Sequence, residues 1–294
     1  MLKIALPAGK SLEARTSELF TEARITIDRK GSMHEVAFPD YPSLSAGYFL
    51  KPRRIPLLVE EGDFDIGITG VDFVLESGAD VEICAELSYS RSTGDSTLGV
   101  LFAQEDDTAD SPSDVPDGSI ILSEYPNLTR KFLEGYGKRV VVVESPGSAE
   151  AEVPLKYRFG VALSETGKSL RENRLKPIGT VFKSSTVLIA NKEVLTAPVA
   201  AKAVHVLKLI LCGVLEARGR TMFTMNVPTE VLAEVLRILP SLRSPTVAPL
   251  AGGQFASVST VMRMNEVNGF IPSLLELGAE GFVTTPISSV IQSW

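Results

Sequence analysis

Three hydroxyl residues, Ser164, Thr166 and Ser169, flank Gly167 and Lys168 in the stretch FGVALSETGKSLRENRL, residues 159–175. Hydroxyls, a glycine and one cation at this spacing suit the binding of a phosphate. The apolar run 160–163 predicts a buried strand, Ser164, Glu165, Thr166 and Gly167 a turn, and the charged segment from Ser169 a helix start. A strand that feeds a small-residue turn and then a helix aims several backbone N–H groups at one anion. An ordinary strand–helix connection has the same local pattern. The tail TGKS matches the end of a glycine-rich nucleotide loop, but that loop needs a glycine at position 162, where Ala162 stands. A sugar-phosphate cradle needs only N–H groups and hydroxyls, so it stays open.

Other chemistry is narrowed by what is scarce. The 294 residues hold two cysteines, Cys84 and Cys212, and two histidines, His34 and His205. A disulfide framework, a cysteine zinc site and a Ser-His-Asp triad are therefore poor fits. His205 lies inside an apolar helical pattern and reads as packed. The Asp63 and Asp65 pair reads as turn chemistry. A net charge of −7 argues against nucleic acid as a general partner, so a phosphate-rich ligand must meet local donors. Lys10 after a first strand, and the cluster Lys51, Arg53 and Arg54, are such donors. No signal peptide is evident, and the longest apolar stretch, 203–215, is too short to span a bilayer. A soluble, cytoplasmic protein without a membrane partner is expected.

The elements that must position these groups recur as βα units. Strands are predicted at 2–6, 64–69, 98–103, 119–122, 139–143, 160–163 and 187–190, with helices after most of them. Small-residue turns follow at Lys10, Gly70, Asn127, Ser148 and Thr166, which implies parallel α/β sheet with ligand at the strands' carboxyl ends. The acidic, Pro- and Gly-punctuated segment 104–118 predicts a surface loop and lobe crossing. After a long helix at 197–218, strands at 221–225, 246–250, 255–262 and 281–290 alternate with helices at 229–239 and 267–277. That is a βαββαβ, ferredoxin-like order.

The runs LPAGK (6–10), EEGDFDIGITGVD (60–72), SEYPNLTRKF (123–132), PGSAE (146–150), ETGKSLRENRL (165–175) and SPTVAPLA (244–251) give the chain a family likeness. It resembles ATP phosphoribosyltransferase in its long form. The resemblance implies a two-lobed, periplasmic-binding-protein-like α/β catalytic core, with one lobe from 1–97 and 185–217 and the other from 98–184. Residues 218–294 would form a histidine-binding regulatory domain. The implied reaction joins N1 of ATP to C1 of phosphoribosyl pyrophosphate and releases pyrophosphate, the first step of histidine biosynthesis.

On these positions the resemblance implies that Ser164, Glu165, Thr166, Gly167, Lys168, Ser169 and Leu170 hold the 5-phosphate. Lys10, Lys51 and Arg53 would meet the pyrophosphate or ATP phosphates, and Glu124 would join them as a catalytic group. Gly70, Asn127, Gly147, Ser148 and Glu150 would line the cleft. Mg²⁺ would arrive on the pyrophosphate, held by substrate oxygens and water. Asn226, Leu242, Ser244, Thr246, Val261 and Gly281 would bind histidine as feedback inhibitor, in a homo-oligomer (dimer and hexamer). The chain departs from the family pattern at Ala162 and Arg158, where aspartates are usual, at Lys168 and Ser169, and at Ala8 and Arg54. These departures motivate an alternative, a homologue that binds a nucleotide or small anion between two lobes without turnover.

Overall fold

The apolar run LKIALP forms β1 (Leu2–Pro7), buried on both faces as a central strand requires. A computed structural model describes residues 1–294 except 30, 32–33, 88–96, 146, 148, 165, 243 and 292–294, with only the backbone at 10 and 11. After β1 come α1 (Lys10–Glu22), β2 (Asp28–Arg29), β3 (Glu35–Ala37), β4 (Leu44–Leu50), α2 (Ile55–Glu60), β5 (Ile66–Gly70), α3 (Val71–Ser77) and β6 (Glu82–Glu86). The chain then builds a second lobe from β7 (Thr97–Gln104), β8 (Ile120–Ser123), α4 (Pro126–Glu134), β9 (Val141–Glu144), α5 (Ala149–Glu152), β10 (Phe159–Ser164), α6 (Lys168–Glu172) and β11 (Leu175–Ser184). It returns to the first lobe as β12 (Thr186–Ala190) and enters α7 (Pro198–Ala217).

Each lobe has its own sheet, ordered β2-β3-β4-β1-β5-β12-β6 in the first and β11-β7-β10-β8-β9 in the second. The sheets are mixed, which corrects the expectation of wholly parallel ones. β4, β1 and β5 are parallel, as are β10, β8 and β9. β12 and β7 run antiparallel to their neighbours. Each follows a strand of the other lobe, so neither closes a βαβ unit within its own sheet; the segment 104–118 joins β7 to β8 inside the second lobe and is not the crossing expected. The five donor-rich turns follow β1, β5, β8, β9 and β10, all strands with a parallel neighbour. Lobe cores are apolar: Ala5, Ile55, Val59 and Ile189 in the first, Leu101, Ile121, Leu133 and Phe159 in the second.

Helix α7 is longer than the apolar stretch read from sequence. Its 20 residues reach a hydropathy of 1.7, enough by length and composition to cross a membrane, and 28% of that window is buried. The chain continues as β13 (Arg220–Pro228), α8 (Leu232–Ile238), β14 (Thr246–Pro249), β15 (Phe255–Arg263), α9 (Met264–Glu276) and β16 (Glu280–Pro286), the βαββαβ order expected. Their sheet runs β14-β15-β13-β16 with every neighbour antiparallel. β13 and β15 alternate buried and half-buried side chains, so Phe223, Met225, Val258 and Met262 face the helices. The last strand ends at Pro286 rather than running to 290. Tertiary contacts divide the chain into Met1–Glu18 with Ile25–Lys208, which contains both lobes, and Leu19–Arg24 with Leu209–Trp294.

Candidate active site

Over its described residues the stretch 159–175 folds as a strand, a turn and a short helix, α6. β10 ends at Ser164, whose Oγ accepts the Gly167 N–H at 3.0 Å and closes the turn. Gly167 is left-handed, with φ 68°, and opens α6. That helix has only five residues, shorter than the charged segment implied, so its dipole adds little. Thr166 is exposed, and Ser169 Oγ donates to Glu150 Oε1 at 3.3 Å. Lys168 is exposed, with Glu172 at 3.6 Å. Leu170 is 4% exposed and packs under the loop with Val100 and Ala162, so its side chain anchors the loop. A groove of about 460 Å³ runs past Ser164, Thr166, Gly167 and Leu170 over Leu98 and Val100.

Beyond Glu150 lies Glu124, at the end of β8. Gly147 has φ 113°, and a Cβ there would stand 3.6 Å from Glu124 Oε1, so the carboxylate lies over bare backbone. Burial raises the Glu124 pKa, the charges of Glu150 and Asp72 raise it further, and Arg53 opposes them. Arg53, in the short helical turn before α2, forms an ion pair with Glu144 at the end of β9. Lys51, just before that turn, is exposed. Arg53 of the first lobe thus meets Glu144 of the second, with Glu124, Gly147, Glu150 and Ser169 grouped on the second-lobe side. The Lys10 side chain, Ser148 and Glu165 lie outside the described residues.

Gly70 and Asn127, both expected at the site, sit with four further residues, Asp72, Glu76, Tyr125 and Ser184. Gly70 ends β5 and caps α3, and a Cβ on it would meet Asp72 Oδ1 at 2.1 Å. Asp72 is 2% exposed, and its Oδ1 accepts the Ser184 hydroxyl at 2.5 Å. Its Oδ2 and the buried Tyr125 Oη close no hydrogen bond, although the phenol lies beside the carboxylate. Glu76, one turn further along α3, accepts the N–H groups of Asn127 and Leu128, each at 2.9 Å. Asn127 also donates its amide to the Glu76 carbonyl at 3.0 Å and accepts from Arg130 at 3.2 Å. Asn127 is therefore occupied by the protein itself.

The model of the ATP phosphoribosyltransferase family matches residues 51–210, and that of the HisG C-terminal domain matches 217–289. Full-length relatives agree. The ATP phosphoribosyltransferase of Pelotomaculum thermopropionicum is 33% identical over 99% of both chains, and that of Chlorobium phaeovibrioides is 34% identical over 99% of this chain and 98% of its own. The chain belongs to the ATP phosphoribosyltransferase family. A solved ATP phosphoribosyl transferase (HisG:HisZ) complex from Thermotoga maritima shares the fold, with TM-score 0.59 and 23% identity over 72% of this chain and 97% of that one.

As a member of the ATP phosphoribosyltransferase family, the chain catalyses the first step of histidine biosynthesis. No observation favours the binding-only alternative. Two of the departures have local structural accounts. Ala162 fills an apolar cluster with Val100, Phe102, Leu122 and Val153. Arg158 forks onto Asp107 at 2.7 and 2.9 Å. In the C-terminal sheet, Asn226, Thr246 and Val261 stand on strands β13, β14 and β15. A Cβ on Gly281, whose φ is 64°, would approach Asn226 Nδ2 to 3.1 Å. Thr224 and Ser259 share a hydroxyl bond of 3.0 Å beside Thr246, while Leu242 and Ser244 lie exposed before β14.

Proposed function

We propose that the ATP phosphoribosyltransferase reaction takes place in the cleft between the two lobes of residues 1–97 with 185–217 and residues 98–184. The tie from Ser169 to Glu150 supports this best, because it joins the phosphate loop to the acidic wall that ends at Glu124. The 5-phosphate of phosphoribosyl pyrophosphate sits against the N–H groups of the loop at 165–170 and the hydroxyls of Thr166 and Ser169. Lys10, Lys51, Lys168 and Arg53 face the pyrophosphate and the ATP phosphates, and Arg53 exchanges Glu144 for a phosphate oxygen. The adenine N1 attacks C1 of the ribose, the C1–O bond to pyrophosphate breaks, and positive charge develops on the sugar. Glu124 and Glu150 are placed to favour that charge, so positioning and electrostatics carry the rate.

Among the described residues no three His, Cys, Asp or Glu side chains group as a protein-held metal site does. In this proposal a divalent cation, Mg²⁺, comes bound to substrate oxygens and water. When bound it neutralises the leaving pyrophosphate. Residues 218–294 bind histidine as feedback inhibitor around Asn226, Leu242, Ser244, Thr246, Val261 and Gly281, in a cytoplasmic homo-oligomer. Nucleic acid and membrane are not partners.

The test is pyrophosphate release from ATP and phosphoribosyl pyrophosphate with Thr166→Val. Loss of one hydrogen bond to a charged phosphate, worth about 1.5–3 kcal/mol, raises KM for phosphoribosyl pyrophosphate by about 10-fold or more and leaves KM for ATP near wild type. An unchanged KM for the sugar donor removes the loop from the site.

A further inference from the structure

Helix α4 begins at the cleft and carries Glu124 and Tyr125 just ahead of it. Its first residue is Pro126, which has no N–H, and the Thr129 N–H already bonds the Tyr125 carbonyl at 2.9 Å. That leaves the N–H groups of Asn127 and Leu128 as the two unpaired donors of its first turn. Both are taken by the carboxylate of Glu76, which belongs to the other lobe and is 4% exposed. The cap is supplied by the other lobe at a buried interface, at the helix end where a negative charge is favoured. From inside the second lobe, Ser123 Oγ accepts the Tyr125 N–H at 2.9 Å and pairs with Thr129 Oγ1 at 2.8 Å. Glu124 thus lies on a turn fixed from both sides.

Asp72 and Glu76 stand four residues apart and face the same way on α3. Asp72 packs beside Tyr125 and holds Ser184, where the chain leaves the second lobe. One face of α3 therefore sets the second lobe's cleft edge at two points.

We infer that Glu76 is a positioning residue for phosphoribosyl transfer: by capping α4 from the opposite lobe it holds the Glu124 turn at its working distance from the first-lobe side of the cleft. The inference rests on the proposal that Glu124 lines the reacting site. A cap lost from a buried interface lets the turn shift, and displacements near 1 Å in a site of this kind cost on the order of 10²-fold in rate.

The test uses the full-length protein and the pyrophosphate-release assay. Glu76→Ala, with folding confirmed by circular dichroism at the assay temperature, is expected to lower kcat by about 10-fold or more. The acid limb of its pH–rate profile is expected to move to lower pH. The groups facing Glu124 are Glu150 from α5, Asp72 from α3 and Arg53 from the turn before α2, with Gly147 beneath it. A loosened turn admits water to Glu124 and relieves the burial that raises it. Stability alone moves neither kcat per folded molecule nor that limb. Glu76→Asp, which keeps the charge on a shorter arm, is expected to fall between, and it decides the matter if the alanine variant does not fold. Wild-type kcat and an unmoved acid limb in a folded variant overturn the inference. Glu124→Gln separates the two claims: full activity there removes Glu124 from the site, whatever Glu76 does.

Discussion

Asp72 shows what a single buried carboxyl contributes at the cleft floor. Burial raises its pKa above the ordinary 3.8, and the Ser184 hydroxyl only partly opposes that. The folded chain then binds this proton more tightly than the unfolded chain does. The resulting stability is fully present below the unfolded value and declines as pH rises through the folded one. Asn at this position keeps the acceptor for Ser184 and cannot ionise. Urea midpoints from about pH 4 to about pH 8 are therefore expected to fall less steeply for Asp72→Asn than for the wild type. Equal slopes would show that another group controls this range. Carboxylates with lowered values, such as Asp107 beside Arg158, push the other way in both proteins and cancel in the comparison.

At the scale of elements, β5, Gly70 and α3 form one device, and a small side chain is its tightest requirement. The Gly70 backbone is extended at φ −82°, so alanine is allowed there, but its Cβ would overlap Asp72 Oδ1. Relief must displace Asp72 and break its bond to Ser184. Gly70→Ala is expected to cost about 1–3 kcal/mol in chemical denaturation, and a variant as stable as wild type would contradict this packing. This device was largely legible in sequence: an apolar run, a Thr-Gly stop and an acid near the next helix start. The same signals gave β1, β10 and the βαββαβ order. β4 and β11 carry no such signals. β11 holds Pro177 and Gly179 and pairs with β7 through two register shifts at a sheet edge, so no clean alternation survives. α6 is shorter than its charged run because Arg174 turns left-handed, at φ 54°, after Asn173. The cap by Glu76 joins residues 51 and 52 positions apart, which local patterning does not encode. Loop 165–170 was chosen by residue type, and its tie to Glu150 needed the fold.

For the whole molecule, the two units have separate cores, so the proposed division between catalysis and histidine binding can be measured. Phe223 is fully buried in the C-terminal core and stacks on Phe282, with ring centroids 5.8 Å apart and planes within 6°. Its removal leaves a cavity among Met225, Val258 and Met262 that costs about 3–5 kcal/mol. No atom of the phosphate loop or the Glu124 turn belongs to that core. In Phe223→Ala, calorimetry is expected to resolve a transition of the C-terminal unit lowered by more than about 10 °C, beside one that stays near wild type. Histidine inhibition should disappear with the first transition while pyrophosphate release continues below the second. A single transition moving as a whole, with activity and inhibition lost together, would mean that the two cores fold as one cooperative body and that the C-terminal sheet is also needed for turnover.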